Sequence, residues 1–320
     1  VSEQSEKGKS EVAKLSELVT RLRAPNPGPM TLTGTNSYLV GMGPERVAID
    51  PGPKLEGHLQ TMAGTASAAG AKISLILVTH GHPDHYPGAE RLSELTGAPV
   101  AAYRGATFPH QVELDNEQKI EAAGGTYTAI FTPGHAADHL CYFLEEEGAL
   151  FTGDNILGYG TTIVAPPKGD MALYMASLHL LEEKWGQAKV IYGGHGPEIA
   201  NPAAKIREYI LHRQARQQQL VEAMQAGATT IPQIVERIYQ DVDRRMWPAA
   251  ARQALAYLIM LEREGKVRAE DLPAEEVSEA DNAMLNPVGT VIDPVAAAEL
   301  GISAQEMEHK DKVKRYWLTL

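Results

Sequence analysis

The sequence predicts an α/β fold, on three observations. Apolar runs with the length of buried strands recur at residues 37–40, 46–49, 73–79, 127–132, 149–152 and 189–192. Helical patterns fall between them, from His58 and again over residues 88–95, as when helices layer on a sheet. The last four runs end in ligand-type residues, at His80, His135, Asp154 and His195.

Composition bounds the reading. A chain of 320 residues accommodates one large domain and a small one, and 43% hydrophobic residues is ordinary for a globular protein. No apolar run reaches the ~18 residues of a membrane span. Residues 1–14 are polar and lack the apolar core of a signal peptide, so the cytoplasm is the expected location, although a chain that begins at Val1 is consistent with a trimmed leader. The single cysteine, Cys141, excludes an intrachain disulfide and a cysteine-based zinc site. A net charge of −12 argues against a general affinity for polyanions.

Taken in order, residues 11–23 read as a short helix or a β-edge, and residues 24–30 (APNPGPM) as a turn-rich loop. Strands follow at 36–40 and 46–49, the second ending in Asp50-Pro51-Gly52. His58, at the start of a helix-like segment, is expected at the surface. Residues 73–79 then run into His80-Gly81-His82-Pro83-Asp84-His85. Packing asks for no such cluster, whereas imidazole nitrogen and carboxylate oxygen suit zinc and related cations. Alternation along an extended turn points His80 and His82 to one side and lets Asp84 and His85 reach a second point nearby. Residues 98–103 read as a strand and 108–115 as irregular, with His110 at the cleft edge or the surface. Residues 127–132 lead into Pro133-Gly134-His135, and Asp138 and His139 follow. Asp154 ends the next run, where a carboxylate can bridge two cations as an imidazole cannot. Gly193-Gly194-His195-Gly196 ends the last.

The motif His80-x-His82-x-Asp84-His85 after a buried strand, with His135, Asp154 and His195 following in order, resembles the metallo-β-lactamase superfamily. Residues 25–36, 153–162, 194–197 and 209–213 resemble its lactamase-β-like protein 2 subfamily, whose members include hydrolases and a single-strand-specific endoribonuclease. The resemblance implies a four-layer αββα sandwich with a small C-terminal winged-helix-like domain. It implies two divalent ions, with zinc the expected metal: His80, His82 and His135 on one, Asp84, His85 and His195 on the other, and Asp154 between them. The nucleophile would be a hydroxide bridging the ions, with Asp84 as the proton shuttle to the leaving group. Asp50 either orients a ligand histidine or is a turn aspartate before Pro51. His139 either packs beside the site or caps the strand over 140–144. Tyr159 and the Gly160-Thr161-Thr162 loop are expected to line the pocket. Aspartate at position 154, where some lactamases use cysteine, points away from antibiotic hydrolysis.

Helices are expected over 202–224, 231–239 and 248–264, with Thr229 and Thr230 as caps for the second and Gly265 ending the third. Residues 1–205 are thus read as the catalytic domain, 206–268 as winged-helix-like, and 269–320 as an acidic linker and a tail with no assigned role. The apolar end at 316–320 is expected to pack on its own chain or a partner. Arg237, Arg244, Arg245 and Arg252 are interleaved with Glu236, Asp241 and Asp243, so no basic stripe forms. That favours a cap that shapes the cleft, or a homodimer contact, over a nucleic-acid surface. The expected activity is hydrolysis of a small ester, thioester or lactone. The rival is cleavage of single-stranded RNA, and a closed structural metal site would instead make a binding module.

Overall fold

Two sheets face one another because their strands are apolar on both faces. In the computed structural model, which describes residues 10–271 and 314–319, β3 (Asn36–Val40) sends Tyr38 and Val40 to one core and Leu39 to another. β4 (Glu45–Ile49) does the same with Val47 and Ile49 against Ala48, as the period of two requires. With β1 (Glu11–Lys14), β2 (Val19–Arg23), β5 (Lys72–Leu77), β6 (Val100–Tyr103) and β7 (Val112–Leu114), they form a seven-stranded sheet in chain order. It is antiparallel up to β4 and parallel from there on. The second sheet has the order β12 (Val190–Gly193), β11 (Ala149–Gly153), β10 (Leu140–Leu144), β9 (Gly125–Phe131), β8 (Lys119–Ala122).

Three cores follow. Tyr38, Val47, Leu77, Tyr127, Tyr142 and Phe151 fill the space between the sheets. Helices α1 (Glu56–Ala68) and α2 (Gly88–Thr96) cover the outer face of the first sheet through Leu59, Met62 and Leu92. Helices α3 (Met171–Trp185) and α4 (Pro202–Gln225) cover the second through Tyr174, Leu178, Leu181 and Ile206. These are the four layers expected from the sequence.

The third core continues into α5 (Ile231–Ile238) and α6 (Trp247–Arg263), so the C-terminal helices share hydrophobic contacts with α3 and α4. The boundary expected at residue 206 falls within α4, and Asn201 caps that helix by accepting the amide of Ala204. After α6, β13 (Val267–Asp271) pairs antiparallel with β14 (Lys314–Leu318), burying Tyr316. The apolar end thus packs on its own chain. Residues 269–271, expected to begin the linker, lie in β13, and residues 272–313 of the linker and tail lie outside the described residues.

Other expectations are settled or corrected. Residues 11–23 form the β1–β2 hairpin rather than a helix. Residues 112–114 are a strand rather than irregular, a three-residue edge too short to show a pattern. His58 is buried, not at the surface, because it lies on the sheet-facing side of α1. Its Nδ1 meets Ser10 Oγ at 2.7 Å and its Nε2 meets Ser37 Oγ at 2.9 Å.

Burial holds the His58 pKa down from 6.5 to about 4, a gap worth roughly 3 kcal/mol. The unfolded chain therefore takes up this proton first, so the stabilising contribution is full above about pH 6.5 and is lost as pH falls towards 4. Denaturant midpoints of wild type and His58→Gln, compared at about pH 7 and about pH 4.5, are expected to converge on acidification. A constant gap would place the proton elsewhere.

Candidate metal centre

The structure gathers His80, His82, Asp84, His85, His135, Asp154 and His195 at one edge of the sandwich, on loops that leave β5, β9, β11 and β12. His80 Nε2 and His135 Nε2 each lie 2.9 Å from His82 Nδ1. Asp84 Oδ2 lies 3.3 Å from His85 Nε2 and 3.1 Å from His195 Nε2. Asp154 sits between the two groups: Oδ2 is 3.7 Å from His135 Nε2 and 3.4 Å from His195 Nε2, and Oδ1 is 3.3 Å from His85 Nε2. Gly194 allows this approach, since a Cβ there would stand 2.4 Å from Asp154 Oδ1.

Hydrogen bonds on the far side fix which nitrogen faces inward. His135 Nδ1 donates to the Ile163 carbonyl at 2.8 Å, and His85 Nδ1 to Asp50 Oδ2 at 2.8 Å. Thr79 Oγ1 gives its proton to Asp50, so it can only accept from His80 Nδ1. His195 Nδ1 faces the Gly34 carbonyl at 3.3 Å. The Nε2 atoms of His80 and His135 are therefore lone pairs aimed at one point. Backing of this kind orients metal ligands.

Those inward atoms test whether divalent cations fit. His85 Nε2, His139 Nε2 and Asp154 Oδ1 are buried without a hydrogen-bond partner. Burial opposes charge on Asp84 and Asp154, yet His85 and His195 outweigh it and hold both carboxyls well below the usual range. Against burial, the same carboxylates raise His85 strongly and His195 to about 10. Burial and the neighbouring imidazoles hold His80 down, and burial first holds His82 to about 3. Neutral imidazoles converge on one side, and on the other carboxylates whose only ion-pair partners among the described residues are imidazoles. Both arrangements are completed by bound cations, so the residues fit.

Other candidates are placed as follows. Asp50 is buried behind His85, accepts both the amide and the hydroxyl of Thr79, and holds a φ of 47°. It is thus more than a turn residue. His139 precedes β10 and also packs on the cluster, its ring 5.0 Å from that of His80, with Nδ1 on Thr132 Oγ1. Tyr159 and Thr161 line the cleft. His110 does not, and binds the Phe108 carbonyl.

Sequence reasoning missed the residues that hold this set in place. Asn26 binds Thr35, whose hydroxyl donates to Asp84 Oδ2 at 3.1 Å. Asn36 Nδ2 donates to the carbonyls of Gly193 and Gly196, and Tyr38 also donates to Gly193, clamping the loop of His195. Thr162, on the loop expected to line the pocket and found there, also donates to the Asp154 carbonyl, and the buried Arg213 holds Thr162 in turn.

A cleft of about 170 Å³ opens over the centre. Pro29, Met30, Leu32 and Leu157 give it apolar walls, and Met246 and Arg252 close it from the C-terminal helices. The winged-helix region thus shapes the cleft, one of the two roles expected of it.

Residues 30–195 match the metallo-beta-lactamase superfamily. The chain belongs to that superfamily. Residues 230–274 match the beta-lactamase associated winged helix domain. "Lactamase-like protein adaB" of Aspergillus niger is 35% identical over 282 residues, covering 83% of this chain and 86% of the relative. "Atrochrysone carboxyl ACP thioesterase" of Aspergillus fumigatus is 38% identical, covering 72% and 76%. "Beta-lactamase-like protein 2 homolog" of Caenorhabditis elegans is 33% identical, covering 80% and 88%. Among solved structures, a metallo-beta-lactamase family protein from Thermus thermophilus shares the fold with a TM-score of 0.67 at 24% identity, covering 80% of this chain and 97% of that one. The protein is a hydrolase of the metallo-β-lactamase fold. Among the described residues, no helix is long and apolar enough to cross a membrane.

Proposed function

We propose that this metallo-β-lactamase-fold hydrolase carries two divalent ions and cleaves a small carbonyl substrate, an ester, thioester or lactone, with a thioester the first choice. The observation that carries this reading is the apolar-walled cleft ending on the histidine–aspartate cluster. It suits an acyl group whose carbonyl reaches the cluster. The relative whose name is that of an acyl carrier protein thioesterase adds support.

His80, His82 and His135 would hold one ion, and Asp84, His85 and His195 the other, with Asp154 reaching both. Zinc suits these nitrogen and oxygen donors. When bound, such a pair lowers the pKa of water and polarises the substrate oxygen. The chain supplies the rest. Asp84 Oδ2 is engaged by Thr35 and His195, leaving Oδ1 to take the proton of the attacking water. As the carbonyl carbon–sulfur bond breaks, the same oxygen returns the proton to the departing thiolate.

The test is a panel of p-nitrophenyl esters, acyl thioesters and lactones beside a labelled single-stranded RNA, on wild type and His80→Ala. Turnover of at least one carbonyl substrate, lost in His80→Ala and weakly dependent on salt, is expected. Single-stranded RNA held by about 6–10 phosphate contacts would instead bind roughly 10²–10⁴-fold more weakly at 200 mM than at 50 mM salt. Salt-sensitive RNA cleavage with every carbonyl substrate inert would replace this reading with the endoribonuclease one.

A further inference from the structure

Beyond the apolar walls, the cleft is lined by two cations, Lys168 and Arg252. Its only acidic lining is Asp84 and Asp154, at the floor. The chain has 41 acidic against 29 basic residues, and most described lysines, Lys119 and Lys184 among them, sit on a carboxylate. Among the described residues Lys168 makes no such ion pair. Asp138 feels its charge from beyond ion-pair distance, and is itself engaged by the Gly81 backbone.

The backbone that presents Lys168 is held on both sides. Arg252 Nη1, reaching from α6, donates to the Pro166 carbonyl at 3.1 Å. Gly169 N donates to the Ala165 carbonyl and Asp170 N to that of Gly134, each at 2.8 Å. Asp170 also pairs with Arg263 of α6. An exposed ammonium on an anchored loop binds a ligand with less loop ordering to offset.

We propose that Lys168, seated by Arg252, is a specificity-determining residue that binds an anionic group, carboxylate or phosphate, carried by the substrate at the end away from the scissile carbonyl. This rests on the reading of the cleft as an acyl-hydrolase site. Phosphate in the leaving group and carboxylate in the acyl group present the same chemistry, and the substrates tell them apart.

Three thioesters serve: a neutral acyl group on N-acetylcysteamine, the same acyl group on pantetheine 4′-phosphate, and a succinyl group on N-acetylcysteamine. Wild type is expected to favour one of the anionic pair over the neutral one by about tenfold in kcat/KM, the worth of one charge-assisted hydrogen bond. In Lys168→Ala that preference disappears through KM, with kcat held within about twofold. Lys168→Glu reverses it, Lys168→Arg restores it, and the neutral thioester is unaffected throughout. Hydrolysis without any preference for an anion, or an equal loss on all three substrates, overturns the assignment while leaving the hydrolase reading intact. Non-cleavable thioether analogues of the same compounds, titrated into wild type and Lys168→Ala, carry the test without turnover. An anionic analogue bound about tenfold more tightly than the neutral one by wild type only supports the assignment, and equal affinities overturn it.

Discussion

Asp154→Ala is expected to lower kcat/KM by about 10³-fold or more, because the proposed cation pair would supply several kcal/mol to the transition state. Asp154 is the side chain that reaches both groups, with one oxygen within 3.7 Å of His135 and 3.4 Å of His195. Its removal takes a donor from each group and leaves the Nε2 atoms of His85 and His195 with Asp84 as their one carboxylate. The fold should survive, since the Asp154 carbonyl, held by Thr162, is retained. A soluble, folded Asp154→Ala with wild-type turnover would remove the carboxylate from the mechanism.

Asp50 should be nearly as sensitive, without reaching the cleft. Its carboxylate accepts from the Thr79 amide, the Thr79 hydroxyl and His85 Nδ1. Asp50→Ala leaves these donors buried and unpaired, at about 1–3 kcal/mol each, so loss of the folded protein is expected. Asp50→Asn is more informative. Asparagine tolerates the positive φ, but its amide would donate to His85 Nδ1 and move the imidazole proton to the inward-facing Nε2. Metal affinity should fall about 10–100-fold with the fold intact by circular dichroism. Unchanged affinity would mean that Asp50 only braces the loop.

What the sequence reveals about this centre follows from chemistry. His80, His82, Asp84 and His85 stand out because packing has no use for such residues at a strand end. The layers are legible because β3, β4 and β5 are apolar on both faces, which an edge or surface strand is not. Thr35, Asn26 and Asn36 are not legible: each is an ordinary polar residue until its partner is known. Asn36, for instance, reaches Gly196 across 160 positions. The burial of His58 is not legible for a related reason, since two serine hydroxyls, not a sequence pattern, make it tolerable. Edge strand β7 is three residues long and carries no periodicity to read. Lys168 looks like any surface lysine until the cleft is seen to include it.

The central claim is a pair of cations shared through one carboxylate, and counting metal tests it most directly. Elemental analysis of wild type is expected to give about two divalent ions per chain, and of Asp154→Ala fewer, since each group loses the donor they share. A single tightly held ion in wild type, with Asp154→Ala holding the same ion and fully active, would contradict the two-cation centre.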